Sequence, residues 1–183
     1  MKKSFFLIPA LALFAACNNS GSSAENKKDT TSNMSTMSSN ESKADRNRET
    51  ALRGSQAVNA HDVNAMLKDV TTDAVDYGDG SGKPTKGVDS VKAGIMTWLD
   101  AFPDVKGENL EAFSNADGSK VIVLGKWTGT FKKDLMGMKA TGKSFKYWDG
   151  DIFTFNDAGK ITAHQSIQSP VTLITQVGSK MPK

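Results

Sequence analysis

Apolar positions recur every three or four residues in the first half of the chain's globular part, and every second residue in the rest. The clearest helical stretch is KGVDSVKAGIMTWLDAF. Val88, Val91, Ile95, Trp98, Leu99 and Phe102 line one face, and Pro103 stops the helix. HDVNAMLKDV predicts a shorter helix, with Asp62 as N-cap and Val63, Met66, Leu67 and Val70 on one side. Upstream, KADRNRETALRGSQAVNA predicts a first helix over 43–60, although its apolar residues are sparse. DAVDYGDG reads as a strand ending in a glycine-rich turn. After Pro103 the period becomes two. Strands are expected near 105–114, 119–131, 143–156 and 160–169, punctuated by NADGS, KKDLMGMKATG and NDAG. A short helix should follow Pro170, packing through Val171, Ile174 and Val177. Helices followed by an antiparallel meander give an α+β fold, a curved sheet capped by helices into a cone with a cavity.

The N-terminus has a different pattern. MKKSFFLIPALALFAAC places two lysines before an apolar run from Phe5 to Ala16. That run is too short for a membrane span, which needs about 20 apolar residues. It reads as an export signal over 1–16. Its end, LFAAC, resembles the lipobox of bacterial lipoproteins, in which the cysteine is lipidated and becomes the first mature residue; Phe14 stands where leucine is commonest. Residues 18–43 contain no Val, Ile, Leu or aromatic residue and cannot bury enough surface to offset their ordering entropy. The chain is therefore read as a signal over 1–16, the lipid-anchored Cys17 with a flexible tether over 17–43, and one domain over 44–180. A coil of that length spans about 30 Å. The expected location is the bacterial cell envelope, exported and held by lipid to a membrane, the outer one being favoured.

Composition narrows the function classes. The 183 residues carry a net charge of +3, and loss of Lys2 and Lys3 with the signal leaves nearly none. Nothing here favours nucleic acid as a partner. A single cysteine excludes an internal disulfide and a multi-thiolate metal site. With two histidines, no His-Glu-x-x-His helix and no glycine-rich phosphate loop, neither a metal nor a cofactor is expected.

Four stretches carry a family resemblance: NAHDVNAML, AFPDV (101–105), WTGTFKKDLMGMKATGK (127–143) and DIFTFNDAGKITAH (151–164). In order and spacing they resemble the SnoaL-like branch of the nuclear transport factor 2-like superfamily, which also contains the ketosteroid isomerases. The resemblance covers residues 50–178 and implies the helix-capped cone. SnoaL-like cyclases commonly end the last strand with Glu-His-Trp and a following Asp credited with proton transfer. These positions fall on Ala163, His164, Gln165 and Ser169, so that acid is missing. Ketosteroid isomerases use a helix-one tyrosine, a base on the first strand and a neutral Asp before Phe-x-Phe. The corresponding positions are Gly54, a place near Tyr77 or Gly78, and Asp151.

Strand alternation adds pocket candidates. If Asp151 points inward, so do Tyr147, Asp149, Phe153 and Phe155. If Ser169 points inward, so do Ile167, Gln165, Ala163 and Ile161, and His164 points away unless a bulge inverts the strand. Trp98 is counted with the pocket, although helix-to-sheet packing accounts for it better. The expected function is binding of a small, mostly apolar molecule. Two alternatives stand beside it: an isomerase, cyclase or hydrolase using Asp151 with Tyr77 or Asp149, and an interaction module forming a homodimer through the outer sheet face.

Overall fold

A computed structural model describes the backbone of residues 31–180 and the side chains of residues 43–180. The signal segment, Cys17 and the first part of the tether lie outside the described residues. Helix α1 (Thr31–Gln56) leads through a 3₁₀ turn (Ala57–Ala60) into α2 (Val63–Leu67), β1 (Val70–Asp76), the two-residue β2 (Thr85–Lys86) and α3 (Val88–Ala101). Then come β3 (Lys106–Ser114), β4 (Lys120–Thr130), β5 (Ser144–Phe155), β6 (Ile161–Ser166) and α4 (Pro170–Val177). The six strands form one curved, unclosed sheet in the order β2-β1-β6-β5-β4-β3. Every pairing is antiparallel except β1 with β6. The α+β expectation is met.

Helix α1 begins at Thr31, so it takes in residues 31–43 of the expected tether. Once the packed part has nucleated, each outward residue adds a hydrogen bond at little further cost. The packed face is built from small and polar residues, Ala44, Asn47, Ala51 and Ser55, at helical spacing. That is why the apolar signal was weak there. Small residues let α1 approach the β3–β4 turn closely. Gly118, at φ +69°, has no room for a Cβ against the Ala44 backbone, and Asn47 Nδ2 donates to the Gly118 carbonyl at 2.8 Å.

Asp62 caps α2 as expected, accepting from the Ala65 amide at 3.0 Å. Asn59 ties the 3₁₀ turn to the sheet edge. Its side chain accepts from the Gly107 amide (2.8 Å) and donates to the Gly107 carbonyl (3.0 Å).

The inward face of the sheet is read from its register. Val121, Val123, Gly125, Trp127 and Gly129 on β4 lie opposite Phe153, Asp151, Asp149, Tyr147 and Phe145 on β5. Two core clusters form on this face. One gathers Leu99, Phe102, Val105, Trp127, Phe131 and Phe145 under α3 and α4. The other joins Ala51 of α1 to Val121, Val123, Phe155 and Ile161. A bulge at Asn109 (φ +53°) turns Leu110 inward so that it packs on both clusters. It sits over Gly125, where any side chain would collide with it.

Candidate functional site

Along β5 the aromatic residues belong to the clusters at its two ends, and the inward positions between them are acids. Phe145 and Tyr147 pack with the first cluster, Phe153 and Phe155 with the second. Asp149 and Asp151 lie between. Buried carboxylates persist only with partners, and β6 and β1 supply these.

The partner of Asp151 is His164. Strand β6 carries a bulge at Thr162: Ala163 is opposite Thr154, while Ile161 is opposite Phe155. The extra residue fixes itself through its hydroxyl, which donates to the Thr154 carbonyl at 3.2 Å. The bulge inverts the alternation expected for this strand. His164 and Ser166 therefore share the inward face with Phe153 and Asp151, while Ala163 and Gln165 face outward. The parallel β1–β6 register adds Asp76 beside His164.

The imidazole is held at both ends. Nδ1 lies 3.0 Å from Asp76 Oδ1, and Nε2 lies 3.0 Å from Asp151 Oδ1. Its ring also packs on Phe153, with centroids 5.3 Å apart. The three side chains are partly open, at 32% (His164), 29% (Asp76) and 18% (Asp151) exposure. Burial works against the imidazolium. The hydrogen bonds and negative charges of Asp151 and Asp76 outweigh it and raise His164 to about 10. Asp76 shows the converse: burial would raise it, but the bond and charge of His164 and the Gly78 amide hold its carboxyl below the usual range. At neutral pH His164 is a cation donating both N–H groups. It has no lone pair for a metal and no capacity to accept a proton.

Asp149 is the group poised to exchange protons. Burial, and then the charge of Asp151, push it up to about 6. Ser166 Oγ donates to both its oxygens (3.0 and 3.2 Å) and the Gly150 amide to Oδ1 (2.7 Å), opposing that rise. Tyr147 is half-buried, its ring stacked on Phe145 at 5.0 Å. Burial and the charges of Asp149 and Asp151 raise its hydroxyl well above the ordinary phenol range. Among the described residues, no group of three or more His, Cys, Asp or Glu is disposed to hold a metal ion.

The structure therefore gathers Asp151, Asp149, Tyr147 and Phe153 on one face, as alternation along β5 predicts, and separates the others from them. Tyr77 comes after β1 ends, 45% exposed and one step out of phase with the inward Asp76. The acid of the first strand is Asp76, one residue earlier than the family count placed it. Gln165 lies outward, its amide against Gly80. Ser169 is not on a strand: β6 ends at Ser166, and Ser169 caps α4 by accepting from the Val171 amide at 3.3 Å. Trp98 packs on Phe102 at 5.9 Å as part of the core. His164 and Asp76 were missed. A strand parity that leaves the only nearby histidine outside a row of acids is itself a signal for a bulge. Two open hollows, of about 320 and 410 Å³, lie elsewhere: one around Phe113, Ile122 and Ile152, the other around Asp45, Arg48 and Leu52.

Comparison with known proteins agrees with this fold. The family model for SnoaL-like polyketide cyclases matches residues 49–177. The chain belongs to that family. Among solved structures, this SnoaL-like domain is similar to a provisionally assigned polyketide cyclase from Xanthomonas campestris pv. campestris (20% identity, TM-score 0.67, 74% of this chain and 98% of that one). It is also similar to another so assigned from Pseudomonas putida (21%, 0.66, 72% and 97%) and to a phenazine biosynthesis-related protein from Pseudomonas aeruginosa (17%, 0.65, 80% and 94%). At these identities the likeness concerns the fold. No match is found among curated proteins. The SnoaL-like fold suggests a ligand-binding domain, and the acid-histidine row lies on the inward face of its sheet.

Proposed function

We propose that the domain is an acid–base enzyme that moves a proton at the carbon next to a carbonyl in a small, mostly apolar substrate, with Asp149 as the base. The observation that carries this reading is an inward carboxylate poised at about 6, held by Ser166 and Gly150 beside a fixed His164–Asp151 pair. A base of that strength is mostly ionised at neutral pH and still strong enough to be useful. The cyclase-type acid is absent at Ser169, but Asp149 supplies the same chemistry from the neighbouring strand. His164 holds Asp151 in place through Nε2, and Asp76 fixes the other end of the imidazole. The anchored form fits the same reading: Cys17 and its tether would hold the domain at the cell envelope, where small apolar molecules partition.

The test is α-deuterium exchange of 2-tetralone in D₂O. Wild type should exceed buffer, with a rate that falls below pH 6, and Asp149→Asn should lose it. Saturable binding of the ketone with no exchange above buffer would overturn the enzyme in favour of a binding protein.

A specific feature favours self-association as a second property. The outward sheet face carries Phe113, Ile122 and Ile152 in one cross-strand row, and Leu124 and Ile167 meet over Gly150 near the 60% exposed Trp148. An exposed apolar patch of this kind suits a second copy of the chain. Sedimentation of wild type against Trp148→Lys tests it; identical monomeric profiles would dismiss the dimer.

A further inference from the structure

The β4–β5 connection, residues 131–143, carries a feature that the reactive face does not use. Leu135 and Met138 exchange backbone hydrogen bonds, the Leu135 amide donating at 3.0 Å and the Met138 amide at 2.8 Å. Between them Met136 and Gly137 stand at φ +49° and +80°. Two positive φ values in a two-residue hairpin make a type I′ turn, whose first place suits Asn, Asp or Gly. Methionine there strains the backbone, and its side chain is 83% exposed. Its neighbours behave oppositely: Leu135 is buried in the first core cluster and Met138 packs on it. The turn is braced from below and holds one flexible thioether out in solvent.

The surroundings are basic. The connection carries Lys132, Lys133, Lys139 and Lys143 against Asp134. Lys133 pairs with Asp100 of α3, and Lys139 with Asp134. Lys132 and Lys143 have no ion pair among the described residues. Asp104 acts on Lys132 from nearby, its oxygens bonded to the Thr130 amide and hydroxyl at 2.7 and 2.6 Å. Lys143 Nζ lies against Gly178 at the end of α4, and the exposed Lys180 follows. All these cations are lysines, while the chain's arginines, Arg46, Arg48 and Arg53, stand on α1. Arginine suits planar, two-pronged recognition. Lysine is a point charge on an apolar stem that lies along an interface with its head in water.

We propose that this tip is a membrane-contact site, at which Met136 enters the headgroup boundary of an anionic lipid surface and Lys132 and Lys143 meet the lipid phosphates. Neither of the two open hollows is lined by the tip. An apolar point set among unpaired cations matches a surface that offers acyl chains beneath negative charge. The strain fits the same role: a turn selected for stability alone would have asparagine in that place. The contact is independent of the chemistry of Asp149 and stands or falls without it.

The test uses the full chain and its own methionines. Hydrogen peroxide converts an accessible thioether to the sulfoxide, and peptide mass spectrometry reads each site. Met96, 53% exposed on α3, is the internal control. Phosphatidylglycerol vesicles should slow oxidation of Met136 severalfold and leave Met96 unchanged. Phosphatidylcholine vesicles should protect neither, and about 0.5 M NaCl, which shortens the screening length to about 4 Å, should release the protection. Lys132→Gln combined with Lys143→Gln should raise the vesicle concentration for half-protection about 25-fold, fivefold for each lysine. Met136→Asn should melt about 3 °C above wild type, because asparagine accepts the turn geometry. Equal oxidation of Met136 with and without phosphatidylglycerol overturns the proposal, and is the result a protein partner at this tip would give. Equal protection by both lipids, or equal protection of Met136 and Met96 through contact of the signal segment alone, also overturns it. A Met136→Asn variant that melts no higher than wild type removes the strain argument and overturns the tip as a display.

Discussion

His164→Gln isolates the charge in the Asp76–His164–Asp151 bridge. Glutamine keeps the approximate length and can donate to one carboxylate, but carries no charge. Removing one partner of a buried ion pair costs about 3–5 kcal/mol. Here the carboxylates are 18% and 29% exposed, so solvent returns part of that and the expected loss is about 2–3 kcal/mol. For a domain of this size the melting temperature should drop by about 6–15 °C. The pH dependence separates charge from shape. His164 titrates at about 10 in the folded chain and near 6.5 when unfolded. Its stabilisation is therefore complete below about pH 6.5 and is lost as pH rises toward 10. Asp76, with a lowered pKa, contributes stability above its ordinary range that is lost as pH falls through the lowered value. The difference between wild type and variant should thus be widest near pH 6 and narrow toward pH 10. Differential scanning calorimetry of both proteins at pH 6, 8 and 10 measures it. A gap that stays constant across that range would refute the reasoning and assign the loss to packing against Phe153.

Ser166→Ala removes the hydroxyl that lowers Asp149, so the acidic limb of the exchange rate should move to higher pH than in wild type; carboxyl ¹³C NMR of Asp149 checks the direction independently. Deleting Thr162 should straighten β6 and turn His164 outward, collapsing activity and moving the imidazole titration from about 10 toward its ordinary value, visible in ¹H–¹⁵N spectra of the ring. Cys17→Ser should abolish radiolabelled lipid incorporation and release the protein from membranes, and equal labelling would dismiss the anchor.

The ordering of helices and strands was legible because both periodicities are long and end at strong punctuation: Pro103, the NDAG turn with Gly159 at φ +73°, and Pro170 ahead of α4. The pocket face of β5 followed from alternation, since β4–β5 pairs without a break from Lys120 to Thr130. Alternation failed on β6 for a local reason. One extra residue at Thr162 shifts the phase, and ITAHQS taken alone, without the row of acids on β5, does not distinguish a bulged threonine from a paired one. The error at Ser169 came from extending the strand three residues past its end, where N-capping of α4 uses the hydroxyl. Asp76 was hidden because its role depends on the β1–β6 pairing, which brings together residues that no short window contains. The buried face of α1 was faint because close approach requires Ala44, Ala51 and Ser55 there rather than large side chains.

That parallel pairing also sets an order of events as the chain folds. Asp76 and His164 are 88 residues apart, the β4–β5 hairpin lies wholly between them, and β6 is the last strand made. At synthesis rates of about 5–20 residues per second, the histidine emerges roughly 4–18 s after its first carboxylate partner. Until then Asp149 and Asp151 on β5 and Asp76 on the still separate β1 have no imidazolium between them, and their like charges oppose closure. Docking of β6 brings the imidazolium of His164 between Asp76 and Asp151 and joins the chain's first strand to its last in one step. Contacts of such sequence separation form late and slow folding. Native-state hydrogen exchange should accordingly find β1 and β6 opening together, ahead of the β4–β5 ladder, so that the reactive face is also the first part of the domain to come apart.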